Sequence, residues 1–427
     1  MNFFLRSSAV VLFSLLCNSS GAQEKLSLQN AIDLALQQNP QLILAHQQIA
    51  AARGRSLQSA ALPPTGFFAR VNEISFDLRE QGEFEIGVSQ SFEFPGKRGG
   101  RKALAQADWQ IAELRLRRIH SRLRSEVKRR YFENLLAKEN VSTQQFTVQI
   151  LQDLQQLLAD RYRDGSASYV EIVRSRVELG QGRSELADAR QKQTTALASL
   201  NLLLGREIGS PVEFSDTLFY TPLPLPRDSL FAQVLRQSTL RQILTAGIER
   251  QHRALQLARI NGRPDFSLGA AFQRVAENPP FTAAQPNGET VNAFSVEARI
   301  DLPLFNRAAP KGEQQIARTE LAIAETQLKY FTHQLGSNFE MAFARATAAE
   351  QQLLEFRDVI VPESQNAIEA ALVAYQSDQL ALTDLLDVYR TAGRARLEFS
   401  QAVFNYLTAG VDLETVGEIF EPGFLQE

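Results

Sequence analysis

The chain has 427 residues, of which 44% are hydrophobic and 22% charged, and a net charge of −3. That length is enough for two or three ordinary domains, and the apolar content suits a folded chain rather than a disordered one. The near balance of charge gives no overall basic footprint, which argues against a general nucleic-acid binder.

Residues 1–22 read as a secretory signal peptide. Arg6 precedes an apolar run from Ala9 to Cys17, and Ser20 and Ala22 put small side chains at the −3 and −1 positions of a cut after Ala22. The run is too short for a spanning helix, and no later segment holds 18 consecutive apolar residues. Cys17 is the only cysteine. A lipoprotein signal would place it directly after the cut, behind a small residue, but Leu16 precedes it. Loss of Cys17 with the signal is therefore the reading, with lipidation as the alternative. The mature chain then has no disulfide and no thiol chemistry. Without Arg6 its charge moves from −3 to −4.

The rest reads as two similar halves. The first repeat covers 23–210, with helices over 27–62, strands over 66–79 and 83–94 and a helical hairpin over 97–204. A proline-rich linker follows over 211–227, where Pro222, Pro224 and Pro226 favour extended backbone. The second repeat covers 228–410, with helices over 228–262, strands over 265–274 and 292–304 and a hairpin over 306–408; a tail over 411–427 ends the chain. Tyr162 matches Tyr375 between the halves, and Gly165 falls opposite Asp378. A repeat this long is a duplication, not a solenoid. Between Lys97 and Arg163 there is no proline, and Leu116, Ile119, Leu123, Val127, Tyr131 and Leu135 step by three or four along one stripe. About 67 residues at 1.5 Å each span roughly 100 Å. In the second half Pro362 must kink or interrupt the corresponding helix.

Three of the four strand candidates alternate cleanly with period two, and the first is less regular. In "EFEIGVSQSFEFPGKRGG", Phe84, Ile86, Val88, Phe92 and Phe94 oppose Glu83, Glu85 and Glu93, while the polar Gln90 interrupts the apolar side. In "NAFSVEARIDLP", Phe294, Val296, Ile300 and Leu302 oppose Ser295, Glu297, Arg299 and Asp301. The first candidate slips in phase near Arg70 and Asn72. Each run has the length of a tilted strand crossing a bilayer. A soluble sandwich alternates in the same way. Four strands cannot close a barrel, and an open sheet in lipid would leave unpaired edges. Either the strands pack on something soluble or several chains share one barrel. The secretion signal and the very long helices favour the shared barrel.

The duplicated order of helices, strand pair and hairpin, the "ALQQNPQL" opening and the "RYRDGSASYVEIV" turn resemble the TolC family of outer-membrane efflux channels. "SQSFEFPGKRGGR" is similar to the branch that serves cobalt–zinc–cadmium efflux. The resemblance implies a homotrimer with a twelve-strand outer-membrane barrel and a long periplasmic helical tunnel. Its implied partners are outer-membrane lipid, a periplasmic adaptor (membrane fusion) protein and an inner-membrane pump of the resistance-nodulation-division type. The fold class expected is mainly α with a transmembrane β part. The implied role is a passive exit duct, probed against two alternatives: a soluble periplasmic helical adaptor, and the same channel serving drug efflux or type I protein secretion.

A channel needs no catalytic group, and no enzyme or cofactor motif is read. His46, His120, His252 and His333 show no ligand spacing, so no metal site is expected. The Gly96 to Gly100 cluster lacks the lysine-serine ending of a phosphate loop and reads as a turn. By the resemblance, Asp384 and Asp387 ring the closed periplasmic entrance, where crowded carboxylates concentrate cations. The other reading is that they complement the positive end of a helix. The first half has Glu171 and Arg174 instead, so a uniformly acidic entrance does not follow. Gly165, Ser166 and Ala167, and Ser377, Asp378 and Gln379, resemble the hairpin tips that meet the adaptor; both are also ordinary turns. The polar strand faces offer Glu73, Asp77, Glu83, Glu85, Glu93, Glu297, Arg299 and Asp301 as barrel-lumen residues. Lipid excludes charge, which sets that face inward.

Overall fold

The computed structural model describes residues 25–71, 84–222, 226–275, 291–302 and 308–418. Each half runs in the same order. In the first, α1 (Leu28–Gln38) and α2 (Pro40–Ser59) precede β1 (Gly66–Val71), β2 (Phe84–Phe92), α3 (Lys97–Arg163) and α4 (Tyr169–Leu203). In the second, α5 (Arg227–Gln237) and α6 (Thr239–Asn261) precede β3 (Asp265–Val275), β4 (Val291–Asp301), α7 (Ala308–Glu355), α8 (Val361–Gln376) and α9 (Leu382–Gly417). The signal-peptide residues, Cys17 and Asn72 lie outside the described residues, while Arg70 and Val71 keep regular register opposite Glu85 and Phe84, with no slip at Arg70.

The strands form one antiparallel sheet in the order β1-β2-β3-β4. Beneath it the helices that enter and leave the strands keep the same lateral order: α2 packs on α3, α3 on α6 and α6 on α7. The reason is local. A few residues join each strand to its helix, so each helix stays below its strand. Gly96 makes the turn into α3 with φ of 100°, a conformation glycine adopts without penalty. Lys97, in the first turn of α3, would be disfavoured by the helix dipole. Asp265 at the start of β3 offsets this: Lys97 Nζ donates to both its carboxylate oxygens at 2.9 Å, and the Phe94 amide donates to it at 2.8 Å.

Below the strands α3 and α4 form one hairpin, and α7, α8 and α9 form the other. Pro362 is accommodated as expected by an interruption. Residues Phe356–Ile360 widen into a π turn, and α8 restarts with the proline in its first turn, where no amide hydrogen bond is lost. The main apolar core lies midway, where Ile32 of α1, Val127 and Tyr131 of α3, Leu200 of α4 and Tyr406 and Val411 of α9 meet. The linker is no free tether. The Leu26 amide donates to the Glu213 carbonyl at 2.7 Å, the Ser215 amide donates back to Leu26 at 3.1 Å, and Tyr406 Oη donates to the Thr221 carbonyl at 2.6 Å.

One expectation fails at the C-terminus. The predicted tail at 411 does not begin there, because α9 continues to Gly417. No proline interrupts it, and Val411 and Leu413 continue its buried stripe. Its last turns carry a row of acids that α3 pairs. Lys128 Nζ meets Glu414 Oε2 at 2.8 Å with both side chains buried, Arg129 meets Asp412 at 2.5 Å, and Arg118 and Arg122 both meet Glu418. Removing one partner of a buried pair leaves the other charge uncompensated. Glu414→Gln should therefore lower stability by about 3–5 kcal/mol, read from thermal unfolding in detergent. Adding Lys128→Met should recover most of the loss; no recovery would mean that the pair is not what is lost.

Candidate functional site

The site has three parts: the two faces of the sheet, the hairpin tips and the start of α9. On the sheet, register decides what faces what. Phe67 pairs with Val88, Ala69 with Ile86, Ile86 with Phe272 and Phe272 with Phe294. This is a continuous apolar face. It is exposed on the single chain, with Phe67 77%, Phe294 86% and Val296 82% accessible. An apolar patch of this kind marks an interaction surface, here with either lipid or protein. Gln90 falls on this face, and its polar atoms are occupied. Thr65 Oγ1 donates to its Oε1 at 2.5 Å, and its Nε2 donates to the carbonyls of Pro63 and Ser91 at 2.9 Å.

The opposite face is mixed. Glu85 is buried, pairs with Arg70 at 3.0 Å and accepts from Gln273 Nε2 at 3.3 Å. Phe68 lies over Gly87, where a Cβ would stand 2.4 Å from its ring. Glu297 pairs with Arg299 at 2.8 Å, and Glu93, just past β2, pairs with Arg101 of α3. Asp301 is exposed and stands in register with Asp265. Glu85, Glu93 and Glu297 thus each have a cationic partner, which lessens the acid excess read from sequence. Glu73, Asp77 and Glu83 lie outside the described residues.

The tips are two tight turns of one design. Gly165 has φ of 74°, and the Ser166 and Ala167 amides donate to the Arg161 carbonyl at 2.8 and 3.2 Å. Ser168 then caps α4 in a box with Glu171. In the second tip Asp378 takes the left-handed place with φ of 58°, and the Gln379 amide donates to the Ala374 carbonyl at 2.8 Å. An aspartate there is strained, though acidic and amide side chains tolerate this region best among residues other than glycine. The two tips are joined. Arg161 pairs with the Asp378 carboxylate, donates to the Tyr375 carbonyl at 3.2 Å and lies 5.1 Å from the centre of the Tyr375 ring. Hydrogen bonding to Asp378 raises the Arg161 pKa further above its usual value.

Asp384 and Asp387 are exposed on one face in the first turns of α9. Ala381 is the N-cap and makes no side-chain cap, so Asp384 also meets the positive end of that helix. One turn further, Arg390 forms a two-pronged pair with Glu178 of α4, with Nε to Oε2 at 3.1 Å. A cavity of about 590 Å³ lies between the two hairpins beside this pair, lined by Phe146, Gly182, Ile368 and Tyr389 among others. Arg161 and the Arg390–Glu178 pair are absent from the residues singled out by sequence. They join positions more than 200 apart in the chain, and no local pattern announces such a pair.

Residues 31–206 match the profile of the Outer membrane efflux protein family. That stretch carries the family's domain and spans under half of the chain. It is 22% identical over 377 residues to the cobalt-zinc-cadmium resistance protein CzcC of Cupriavidus metallidurans, covering 88% of this chain and 85% of that one. Similarity to the pyoverdine export outer membrane protein OpmQ of Pseudomonas putida is comparable, at 23% over 346 residues, covering 80% and 72%. Among solved structures the fold matches that of CusC with a TM-score of 0.76 at 18% identity, covering 97% of this chain and 98% of that one. The matched profile is that of outer-membrane efflux proteins, and what this chain shares with solved outer-membrane channels such as CmeC of Campylobacter jejuni, at 15% identity and a TM-score of 0.75, is their fold.

The clasp between the tips yields a direct test. Arg161→Ala should raise amide hydrogen exchange in the turn at 377–381 as well as in its own. Arg161→Lys should restore only part of the protection, because an ammonium lacks the planar fork. Unchanged exchange at 377–381 would show that the two turns hold independently.

Proposed function

We propose that three copies of this chain form the outer-membrane exit duct of a tripartite efflux pump, conducting heavy-metal cations passively. One observation carries the channel part. Among the described residues the chain presents an open four-stranded sheet with one apolar face and both edges unpaired. In lipid such edges are untenable, and closure with further copies removes them. Four strands from each of three chains make a closed antiparallel barrel with the mixed polar face turned to water. A soluble adaptor would instead expose this apolar face to the periplasm.

Resemblance to the efflux channels supports the partners. A periplasmic adaptor would meet the tips at Gly165, Ser166 and Ala167 and at Ser377, Asp378 and Gln379. An inner-membrane pump of the resistance-nodulation-division type would supply the energy. Asp384 and Asp387 of three copies would give six carboxylates around the entrance, the arrangement that favours cations over anions. Glu85, Glu93, Glu297, Arg299 and Asp301 would face the barrel lumen. The metal cargo is supported by the similarity to CzcC. The second reading, an organic cargo, has comparable support in the similarity to OpmQ.

Two outcomes test this. Replacing Asp384 and Asp387 together by Asn should lower the cation-over-anion permeability ratio several-fold in planar bilayers; an unchanged ratio removes them from the entrance ring. A strain lacking the gene should become sensitive to at least one of cobalt, zinc or cadmium while keeping its tolerance to organic compounds. Unchanged metal tolerance with new drug sensitivity would transfer the cargo to the second reading.

A further inference from the structure

The apolar face of the sheet ends, toward the helices, in aromatic rings. Phe92 of β2 stacks on Phe266 of β3, with ring centres 5.5 Å apart. Phe94 follows Phe92 in the same alternation, while Glu93 between them turns to the polar side and pairs with Arg101. Over the Phe94 ring lies the Arg263 guanidinium, 5.9 Å from its centre. Arg263 therefore stands on the apolar side, at the level where strands give way to helices.

That contact shows which side of α6 faces the same way. Gly262 keeps a helical conformation and the Arg263 amide donates to the Ile260 carbonyl at 2.9 Å, so Arg263 stands one turn beyond Arg259. Both are exposed, as is Gln256 one turn earlier. On α3, Arg101 turns to Glu93 on the polar side, and Gly99, Lys102 and Gln106 are exposed away from it. Lys102 is level with this part of α6, because Gly100 stands against Leu257 and Arg253 Nη1 donates to the Ala103 carbonyl at 2.9 Å. Lys102, Arg259 and Arg263 have no carboxylate partner among the described residues. The nearest acids along these two stripes are Glu113, further down α3, and Glu249, which Arg253 holds. Two arginines one turn apart repel each other unless an anion lies between them.

We infer that Arg259, Arg263 and Lys102 hold the phosphate of an anionic phospholipid in the periplasmic leaflet. The inference rests on the outer-membrane channel proposed above and adds the headgroup that its periplasmic rim takes. Depth and charge carry it. The apolar face takes acyl chains, so the first polar layer beyond it is the headgroup layer, where the cations stand opposite phosphate. A guanidinium offers a phosphodiester two parallel N–H donors, and the Phe94 ring keeps that of Arg263 at the required level. The long stems of Arg259 and Lys102 let their charged ends rise to the same layer from just below. Gly99 leaves room for a headgroup against α3, since nothing stands within 4 Å of where its Cβ would be. A zwitterionic lipid brings its own ammonium group among these cations and gains less than a lipid of net negative charge.

The test takes the full chain in detergent with equal amounts of phosphatidylglycerol and phosphatidylethanolamine of the same acyl chains, and counts the lipids each oligomer retains by native mass spectrometry. The wild-type chain should retain phosphatidylglycerol several-fold over phosphatidylethanolamine. Arg259→Gln with Arg263→Gln should abolish that preference, Lys102→Gln alone should lower it, and Arg259→Lys with Arg263→Lys should keep most of it. Arg190→Gln removes an exposed cation from α4, away from the sheet, and should leave the preference unchanged. Excess inorganic phosphate should not displace the lipid; displacement would make the occupant a free anion and overturn the lipid site. Equal retention of both lipids by the wild-type chain, or an unchanged preference after the double change to Gln, overturns the site, and a trimeric mass in the same spectra leaves the channel reading standing. A monomeric mass overturns the channel reading and the site together.

Discussion

Everything in this molecule follows from the unpaired edges of its sheet. Along the free edges of β1 and β4, backbone amides and carbonyls have no strand partner among the described residues, yet one face of the same sheet is apolar. Water would satisfy the edges and punish the face; lipid would do the reverse. Only a closed sheet meets both demands, and four strands cannot close. On the proposed reading the unit is thus a sector of a larger wall. The helices obey the same geometry, since each is joined to a strand by a short connector and cannot leave its place below it.

A wall of long hairpins has little interior, so polar pairs hold together what a thick core would otherwise hold. They occur at three heights. Lys97 and Asp265 join α3 to β3 at the membrane end, Lys128 and Glu414 join α3 to α9 midway, and Arg161 and Asp378 join the tips. The middle pair is buried and intolerant of losing one partner. The tip pair is largely exposed on the Asp378 side, and an exposed pair contributes only modestly. The pairing therefore weakens from the middle toward the tips, the end where the proposed reading puts the entrance.

Much of this was legible in the sequence, for physical reasons. Strict alternation fixes which face of a strand is apolar, and the register places Phe67, Ile86, Phe272 and Phe294 together as that alternation requires. The proline-free run from Lys97 to Arg163 is one helix because nothing in it breaks one. Pro362 interrupts its helix because it lacks an amide proton, although the form taken, a π turn, has no local signature. The end of α9 was misread because its final turns mix acids with apolar residues; the cations that bury Glu414 lie on α3, far away in the chain. The polar Gln90 looked misplaced for the same reason, since its partners at Pro63 and Thr65 come from the turn before β1.

The face opposite the apolar one shows how far a count of charges can mislead. Read along the strands it is rich in acids, which suggests a cation-selective barrel. In the fold Glu85 meets Arg70, Glu297 meets Arg299 and Glu93 meets Arg101. A paired carboxylate still contributes to the local field, but its partner cancels most of that field beyond a few ångströms, and salt screens the remainder. A wide lumen lined this way discriminates weakly by charge. On the proposed reading, discrimination then moves to the narrow end, where Asp384 and Asp387 of three copies stand near one axis without ion-pair partners among the described contacts. A passive duct gains from this division. On that reading its exit would stay permissive, so cargo would not be held on the way out, and selection would be made once, where a pump would deliver it.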